Sequence, residues 1–195
     1  MNLQIFAKAP ELGKVKTRLI PKLGEEFATN IHKQLVKHCL QQFSGLFTTQ
    51  LWCAPNQFHP FFQACESQFD ISLHNQQGAD LGERMAYALN SASPAVLIGS
   101  DCPSLKPQII RDAFTALQDN PVVLAPAEDG GYVLIGMQQG ALPTLFADIP
   151  WGTSQVLTKT RERLHDLNLR WKELPIQWDV DYPEDVERWN KEKIN

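Results

Sequence analysis

Short runs of apolar residues alternate along this chain with longer segments in which apolar residues recur at every third or fourth position. Runs of the first kind are typical of buried strands, and segments of the second kind are typical of amphipathic helices. Strands are predicted at residues 3–6, 48–54, 71–74, 95–99, 122–126, 132–137 and 169–174. Helices are predicted at residues 28–43, 58–69, 81–92, 109–117, 154–167 and from 183 onward. This alternation predicts an α/β fold, a three-layer α/β/α sandwich around a mostly parallel central sheet.

One pair of predicted strands departs from the alternation. Residues 122–126 and 132–137 meet at the turn E-D-G-G, residues 128–131, without a helix between them. Parallel strands need a long crossover connection, whereas antiparallel strands can be joined by a tight turn. We therefore expect a local antiparallel element at this point of the sheet.

Length, composition and net charge limit the kinds of protein that this chain can be. With 195 residues, 43% of them hydrophobic, the chain is predicted to form a single domain over residues 1–195. The net charge of −4 argues against a nucleic-acid partner, and no apolar run reaches the length of a membrane span. The four cysteines are scattered and the histidines lack ligand spacing, so no zinc site is predicted. Without a signal peptide, we expect a cytoplasmic protein.

A cluster of cations follows the first predicted strand. Lys8, Lys14, Lys16 and Arg18 fall within eleven positions that also contain Gly13 and Thr17. We call residues 8–18 the cationic loop. Ligands of open α/β sheets bind outside the carboxyl ends of the strands, so the loop is predicted to bind the phosphates of a nucleotide. The alternative is a solvated surface loop that is rich in lysine.

The cationic loop is not a P-loop. That motif needs a glycine five positions before Gly13, where this chain has Lys8, and a serine or threonine directly after Lys14, where it has Val15. Phosphate binding would therefore depend on side-chain cations. Arg18 can donate to two oxygens at once, whereas the lysines act as point charges.

Asp101 ends the buried strand at residues 95–99 and is predicted to lie at the same edge of the sheet as the cationic loop. A carboxylate there suits magnesium, which is usually bound by one or two carboxylates and phosphate oxygens. The second carboxylate is Asp129, Asp179 or Asp181, with Asp181 preferred. Three of these aspartates also have a structural alternative: helix capping for Asp181, capping or a turn for Asp101, and a turn for Asp129.

Five motifs in order resemble one family. They are F-A-K-A-P-E-L-G-K-V-K-T-R-L (6–19), G-S-D-C-P-S-L (99–105), A-P-A-E-D-G-G-Y (125–132), W-G-T-S (151–154) and D-V-D-Y-P-E-D (179–185). Together they resemble the glycosyltransferase-A-like proteins known as radical-SAM/selenodomain-associated transferases. The resemblance covers nearly the whole chain and implies the nucleotide-diphospho-sugar transferase fold.

The same resemblance implies roles for individual residues. Asp101 and Asp181 match the positions that hold the metal, Mg²⁺ or Mn²⁺, and the cationic loop matches the segment that wraps a triphosphate. Asp129, Gly130, Gly131 and Tyr132 would border the acceptor. The nucleotide would be a nucleoside triphosphate or a nucleotide-sugar, and the acceptor a small molecule.

Two reactions fit this expectation. In nucleotidyl transfer, the acceptor attacks the α-phosphorus of a triphosphate and pyrophosphate leaves, with Lys16, Arg18 and Asp101 as catalytic residues. In glycosyl transfer, the same site supports a leaving nucleoside diphosphate. The D-x-D of many metal-dependent glycosyltransferases is missing at Asp101, and a diphosphate needs less cationic wrapping, so nucleotidyl transfer is preferred. A third possibility is a nucleotide-binding module without turnover.

Overall fold

The computed structural model describes residues 1–193, and its strands and helices follow the predicted order, with one additional short α-helix at Ile20–Leu23 that was not predicted. The strands are β1 Asn2–Lys8, β2 Thr48–Ala54, β3 Ser72–Asn75, β4 Ala95–Gly99, β5 Val122–Pro126, β6 Tyr132–Met137 and β7 Trp171–Glu173. The helices are α1 Ile20–Leu23, α2 Glu25–Phe43, α3 Pro60–Gln68, α4 Leu81–Leu89, α5 Pro107–Ala116, α6 Val156–Asp166 and α7 Pro183–Glu192. Short 3-10 helices occupy Thr17–Leu19 and Pro143–Phe146.

The seven strands within residues 1–193 form one sheet in the order β3-β2-β1-β4-β6-β5-β7. Adjacent strands run parallel from β3 to β4, and β7 runs parallel to β5. Strand β6 runs antiparallel to both of its neighbours, β4 and β5. The expected antiparallel element is therefore confirmed: the connection from β5 to β6 is too short for a crossover, so the chain reverses direction there.

Helices cover both faces of the sheet. One face packs against α2, α3 and α5 through buried residues such as Val36, Phe62 and Ile110. The other face packs against α4 and α6, where Met85 and Leu164 are buried. Each of these five helices buries one apolar stripe, as the spacing of its apolar residues predicted. The predicted three-layer sandwich is confirmed.

A third apolar cluster brings the C-terminal segment to the start of the chain. Leu19, directly after the cationic loop, and Leu35 of α2 pack with Val180 and Trp189 from the segment around α7. Val180 also donates its backbone N–H to the carbonyl of Asp101 at 3.0 Å. These contacts place the D-V-D sequence next to the carboxyl ends of β1 and β4.

The observed boundaries differ from the predicted ones by a few residues. The last strand was expected at 169–174 but covers Trp171–Glu173, because the N–H of Leu169 still donates to the carbonyl of Leu164 at the end of α6. Helix α3 begins at Pro60, and the ring of His59 accepts the N–H of Phe61. Within residues 1–193, the helices are all too short or too polar to cross a membrane.

Candidate active site

A cavity of about 380 Å³ opens where β1 and β4 end. Most of the phosphate-binding and metal-binding residues predicted from the sequence line this cavity. They are Lys8, Lys14, Lys16, Thr17, Arg18, Asp101 and Asp181. The strand order brings them together because β1 and β4 are parallel neighbours whose carboxyl ends meet at one edge of the sheet.

The backbone of the cationic loop is held by apolar residues that alternate with the cations. Val15 is 3% exposed and Leu19 is fully buried, so the loop is anchored on both sides of Lys16. Gly13 forms a left-handed turn with φ of +74° and faces the Glu25 side chain. Lys16 itself has φ of +46°, a conformation that is uncommon for a residue with a side chain. This backbone directs the Lys16 side chain inward, where it is 5% exposed.

Three carboxylates meet beside the cavity, and two of them, Asp101 and Asp181, line it. Oxygen atoms of Asp101, Asp179 and Asp181 all lie within 4.8 Å of one another. Val180 is fully buried in the third apolar cluster, whereas the aspartates before and after it are partly exposed and lie close to Asp101. Asp179, which the sequence left as an alternative to Asp181, therefore belongs to the same cluster.

Two cations of the loop pair with two carboxylates of this cluster, Asp101 and Asp181. The Lys16 ammonium donates to Oδ2 of Asp101 at 2.6 Å and to Oδ1 of Asp181 at 3.1 Å. The Arg18 guanidinium forms an ion pair with the other oxygen of Asp181 and lies over the ring of Tyr182, 5.5 Å from its centroid. Helix α7 is capped by Asp185, which accepts the N–H groups of residues 181 and 182. The Asp181 side chain therefore faces the cations rather than capping the helix.

The cations and burial shift the pKa values of the cluster. Burial alone would raise the pKa of Asp101, but the adjacent Lys16 ammonium outweighs it and lowers that pKa. Burial would likewise lower the pKa of Lys16, and the charges of Asp101 and Asp181 raise it instead. Burial and the two neighbouring carboxylates raise the pKa of Asp179 to about 7. The cluster therefore carries more negative charge than the lysine balances.

This donor set fits a divalent metal ion. Magnesium and manganese prefer carboxylate oxygens, and three of them converge here beside a cavity that is open to phosphate oxygens. Asp101 and Asp181 are the residues that would hold the ion, with Asp179 as a third possible ligand.

The residues expected on the acceptor side lie in and after the turn between β5 and β6. Asp129 accepts the N–H of Gly131 at 2.8 Å, which is the turn role that the sequence had left open. Its charge still contributes to the raised pKa of Asp179, so it lies near the cluster. Gly130 packs against the backbone of Ser154, and the hydroxyl of Tyr132 is buried on the side of α6. Their role towards an acceptor stays a prediction.

Sequence reasoning missed His32 of α2, which also lines the cavity. Its Nε2 donates to the carbonyl of Lys8 at 2.8 Å, since a carbonyl only accepts, and so it holds the end of β1. Its Nδ1 is buried without a hydrogen-bond partner among residues 1–193. Burial lowers the pKa of this histidine. The signal in the sequence was a histidine on the apolar stripe of α2, between Ala28 and Leu35.

Gln76, after β3, is a second cavity residue without a motif. Its amide nitrogen donates to the carbonyl of Trp52 at 2.9 Å and to that of Ala7 at 3.4 Å. These two carbonyl acceptors define the orientation of the amide. The side chain ties the loop after β3 to the ends of β1 and β2, beside the cavity.

Comparison with protein-family models shows which family the chain belongs to. A family model described as an uncharacterized protein conserved in bacteria, DUF2064, matches residues 36–153. The chain belongs to this DUF2064 family. The matched segment contains Asp101 and the E-D-G-G turn, whereas the cationic loop and Asp181 lie on either side of it. No curated protein matches the chain.

Solved structures extend the similarity of this DUF2064 member to nearly its whole length. A candidate nucleotide-diphospho-sugar transferase from Desulfovibrio desulfuricans is 31% identical, with a TM-score of 0.83, and the match covers 93% of this chain and 82% of that one. A nucleotidyl transferase from Methanothermobacter thermautotrophicus is 15% identical, with a TM-score of 0.65, over 100% and 99% of the two chains. The predicted transferase fold is therefore confirmed.

A third solved structure contains a metal. This Mycobacterium tuberculosis protein, in complex with manganese, is 16% identical to the present chain, with a TM-score of 0.51 and 96% coverage of each chain. At this identity the match supports the fold alone. The chemistry of the DUF2064 cavity has to be argued from its own residues.

Proposed function

We propose that the chain is a metal-dependent nucleotidyltransferase, which moves a nucleoside monophosphate from a triphosphate to a small phosphorylated or hydroxyl acceptor. The observation that carries this proposal is the position of the cations. Lys8, Lys14, Lys16 and Arg18 line the same cavity as the carboxylates Asp101 and Asp181. One cavity thus combines cations that would bind a polyphosphate with carboxylates that would hold a metal ion.

The side chains suggest distinct roles in this reaction. An acceptor oxygen forms a new bond to the α-phosphorus, and the bond from that phosphorus to the oxygen of the departing pyrophosphate breaks. A hydroxyl acceptor loses its proton to solvent, and a phosphate acceptor has none to lose. Lys16 and Arg18 offset the charge that develops on the pyrophosphate, while Lys8 and Lys14 orient the triphosphate. Asp101 and Asp181 would hold the metal ion, which when bound would supply further charge stabilisation at the phosphate oxygens.

Covalent catalysis through the nearby cysteine is disfavoured. Cys102 follows Asp101 directly, but it is buried and donates to the carbonyl of Trp178 at 3.0 Å. Burial raises the pKa of this thiol to about 12, so the thiolate nucleophile is scarce at neutral pH. Direct transfer between bound substrates needs no side-chain nucleophile and agrees with the geometry.

Glycosyl transfer from a nucleotide-sugar is the second candidate. The Desulfovibrio desulfuricans relative, at 31% identity, is described as a candidate nucleotide-diphospho-sugar transferase, and this favours the alternative. The number of cations around the cavity favours the larger polyphosphate. A nucleotide-binding module without turnover is less well supported, because both Asp101 and Asp181 face the cavity.

The finer assignments belong to the same proposal. The five motifs resemble radical-SAM/selenodomain-associated transferases, and DUF2064 membership agrees with the wider superfamily. The ion is proposed to be Mg²⁺ or Mn²⁺, which the carboxylate cluster and the manganese complex of the Mycobacterium tuberculosis protein support. A cytoplasmic location stays a prediction.

The test compares nucleoside triphosphates with nucleotide-sugars. The protein is incubated with Mg²⁺ and each compound in turn, and the melting temperature and pyrophosphate release are measured. We expect stabilisation by at least one triphosphate and release of pyrophosphate when a pool of small phosphorylated acceptors is added. Stabilisation by nucleotide-sugars alone would favour glycosyl transfer and contradict the proposal.

A further inference from the structure

The Lys16 ammonium lies between the two carboxylates that are proposed to hold the metal. Its nitrogen is 2.6 Å from Oδ2 of Asp101 and 3.1 Å from Oδ1 of Asp181. A divalent ion that bridged these residues would sit about 2.0–2.1 Å from each oxygen if it were magnesium. The ammonium and a bridging ion therefore need the same space between the same oxygens.

The lysine is held in this position rather than resting there as a mobile surface group. Its side chain is 5% exposed, and the loop on either side is anchored by the buried residues Val15 and Leu19. Lys14, two residues earlier, provides the contrast. Its side chain is 74% exposed and pairs with Glu11 outside the carboxylate cluster.

Two cations at this point of the cavity would repel strongly. The three aspartates are only partly exposed, so little water separates charges placed among them. For the ion to bridge Asp101 and Asp181, the ammonium has to move to other anions. The cavity offers room for such anions, since the phosphates of a nucleotide would lie beside Lys14, Thr17 and Arg18.

We propose that Lys16 is a resident cation that occupies the metal position of the free protein and leaves it when polyphosphate binds. The inference rests on the proposed use of a nucleotide's phosphates at this cavity. A divalent ion then binds weakly to the free protein and well to the protein with its nucleotide. Lys16 exchanges its two carboxylates for phosphate oxygens, so the aspartates are not left without a cation at any stage.

The first test measures Mn²⁺ binding without nucleotide, by electron paramagnetic resonance of the free ion. Lys16→Met is expected to bind Mn²⁺ at least tenfold more tightly than the unmodified protein, because the competing charge is gone. Lys16→Arg keeps a cation at the cluster and should bind as weakly as the unmodified protein. Lys14→Met removes an equal charge from the same cavity and should leave Mn²⁺ affinity within about threefold.

Equal Mn²⁺ affinity in Lys16→Met and the unmodified protein would overturn the inference. So would an equal gain in Lys14→Met, since the effect would then be a general loss of positive charge. Adding Asp101→Asn to Lys16→Met should abolish the gain, and a gain that persisted would place the ion elsewhere.

A second measurement needs no variant and so covers the case that Lys16→Met does not fold. Reductive methylation followed by mass spectrometry reports the accessibility of each lysine. Saturating Mn²⁺ should raise the modification rate of Lys16 and leave that of Lys14 unchanged, and an unchanged rate at Lys16 would overturn the exchange. Neither measurement involves turnover. A protein that released no pyrophosphate would therefore count against the proposed function, while the position of Lys16 would still be tested by these two measurements.

Discussion

Replacing Arg18 by methionine tests whether the cationic loop holds the leaving pyrophosphate. The Arg18 side chain is 46% exposed and pairs with one oxygen of Asp181, so most of its five donors remain available for phosphate oxygens. A hydrogen bond to a charged group contributes about 1.5–3 kcal/mol. The partial exposure of Arg18 favours the lower half of that range, which corresponds to a loss of about 13- to 45-fold.

The assay compares two ligands of the same protein. Pyrophosphate release gives kcat/KM for the triphosphate, and titration calorimetry gives the Kd of the matching monophosphate. For Arg18→Met we expect kcat/KM to fall about 13- to 45-fold, with the monophosphate Kd changed much less, because a monophosphate lacks the groups that Arg18 is proposed to contact.

A matched arginine controls for nonspecific effects. Arg163 of α6 is 36% exposed and pairs with Asp148, away from the cavity lining. Arg163→Met should leave both constants unchanged. Equal losses for triphosphate and monophosphate in Arg18→Met would refute the role of Arg18 at the leaving group.

Three further predictions test other parts of the site. Asp101→Asn should abolish Mg²⁺-dependent nucleotide binding in calorimetry, and unchanged binding would place the site elsewhere. Gly130→Ala should lower the melting temperature, because its Cβ would lie 2.4 Å from the carbonyl oxygen of Ser154. Gly152→Ala is the control: Gly152 has a similar φ of +78°, but a Cβ there meets no atom of the described residues within 4 Å. This control therefore measures the cost of the backbone angle without the steric clash. The free, buried cysteines, Cys102 among them, should react with a thiol reagent at pH 8 only after denaturation, and rapid native labelling would contradict their buried positions.

The sequence alone determined the elements and the class of the fold. The apolar run at 95–99 and the three-to-four spacing at 28–43 correspond to β4 and to most of α2. Local periodicity carries this information, because a strand or helix that buries one face needs apolar residues at a regular spacing. The short E-D-G-G connection likewise predicted the reversal at β6, since its length excludes a crossover.

The sequence also indicated most of the residues that line the cavity, but not how they pair. Cations after a first strand and an aspartate after a central strand are expected at the same edge of a parallel sheet. Which cation meets which carboxylate depends on contacts between residues far apart in the chain: Lys16 lies 85 residues from Asp101 and 165 from Asp181. Linear spacing carries no information on such pairs.

Only the tertiary structure decided the composition of the carboxylate cluster and the position of Lys16 within it. Packing of Trp189 and Val180 against α2 turns both Asp179 and Asp181 towards Asp101. The left-handed backbone at Lys16 then directs one lysine of the loop inward while Lys14 stays in solvent. His32 could not be recognised from the sequence, because a histidine on an apolar helix stripe becomes a site residue only when packing forms a cavity beside it.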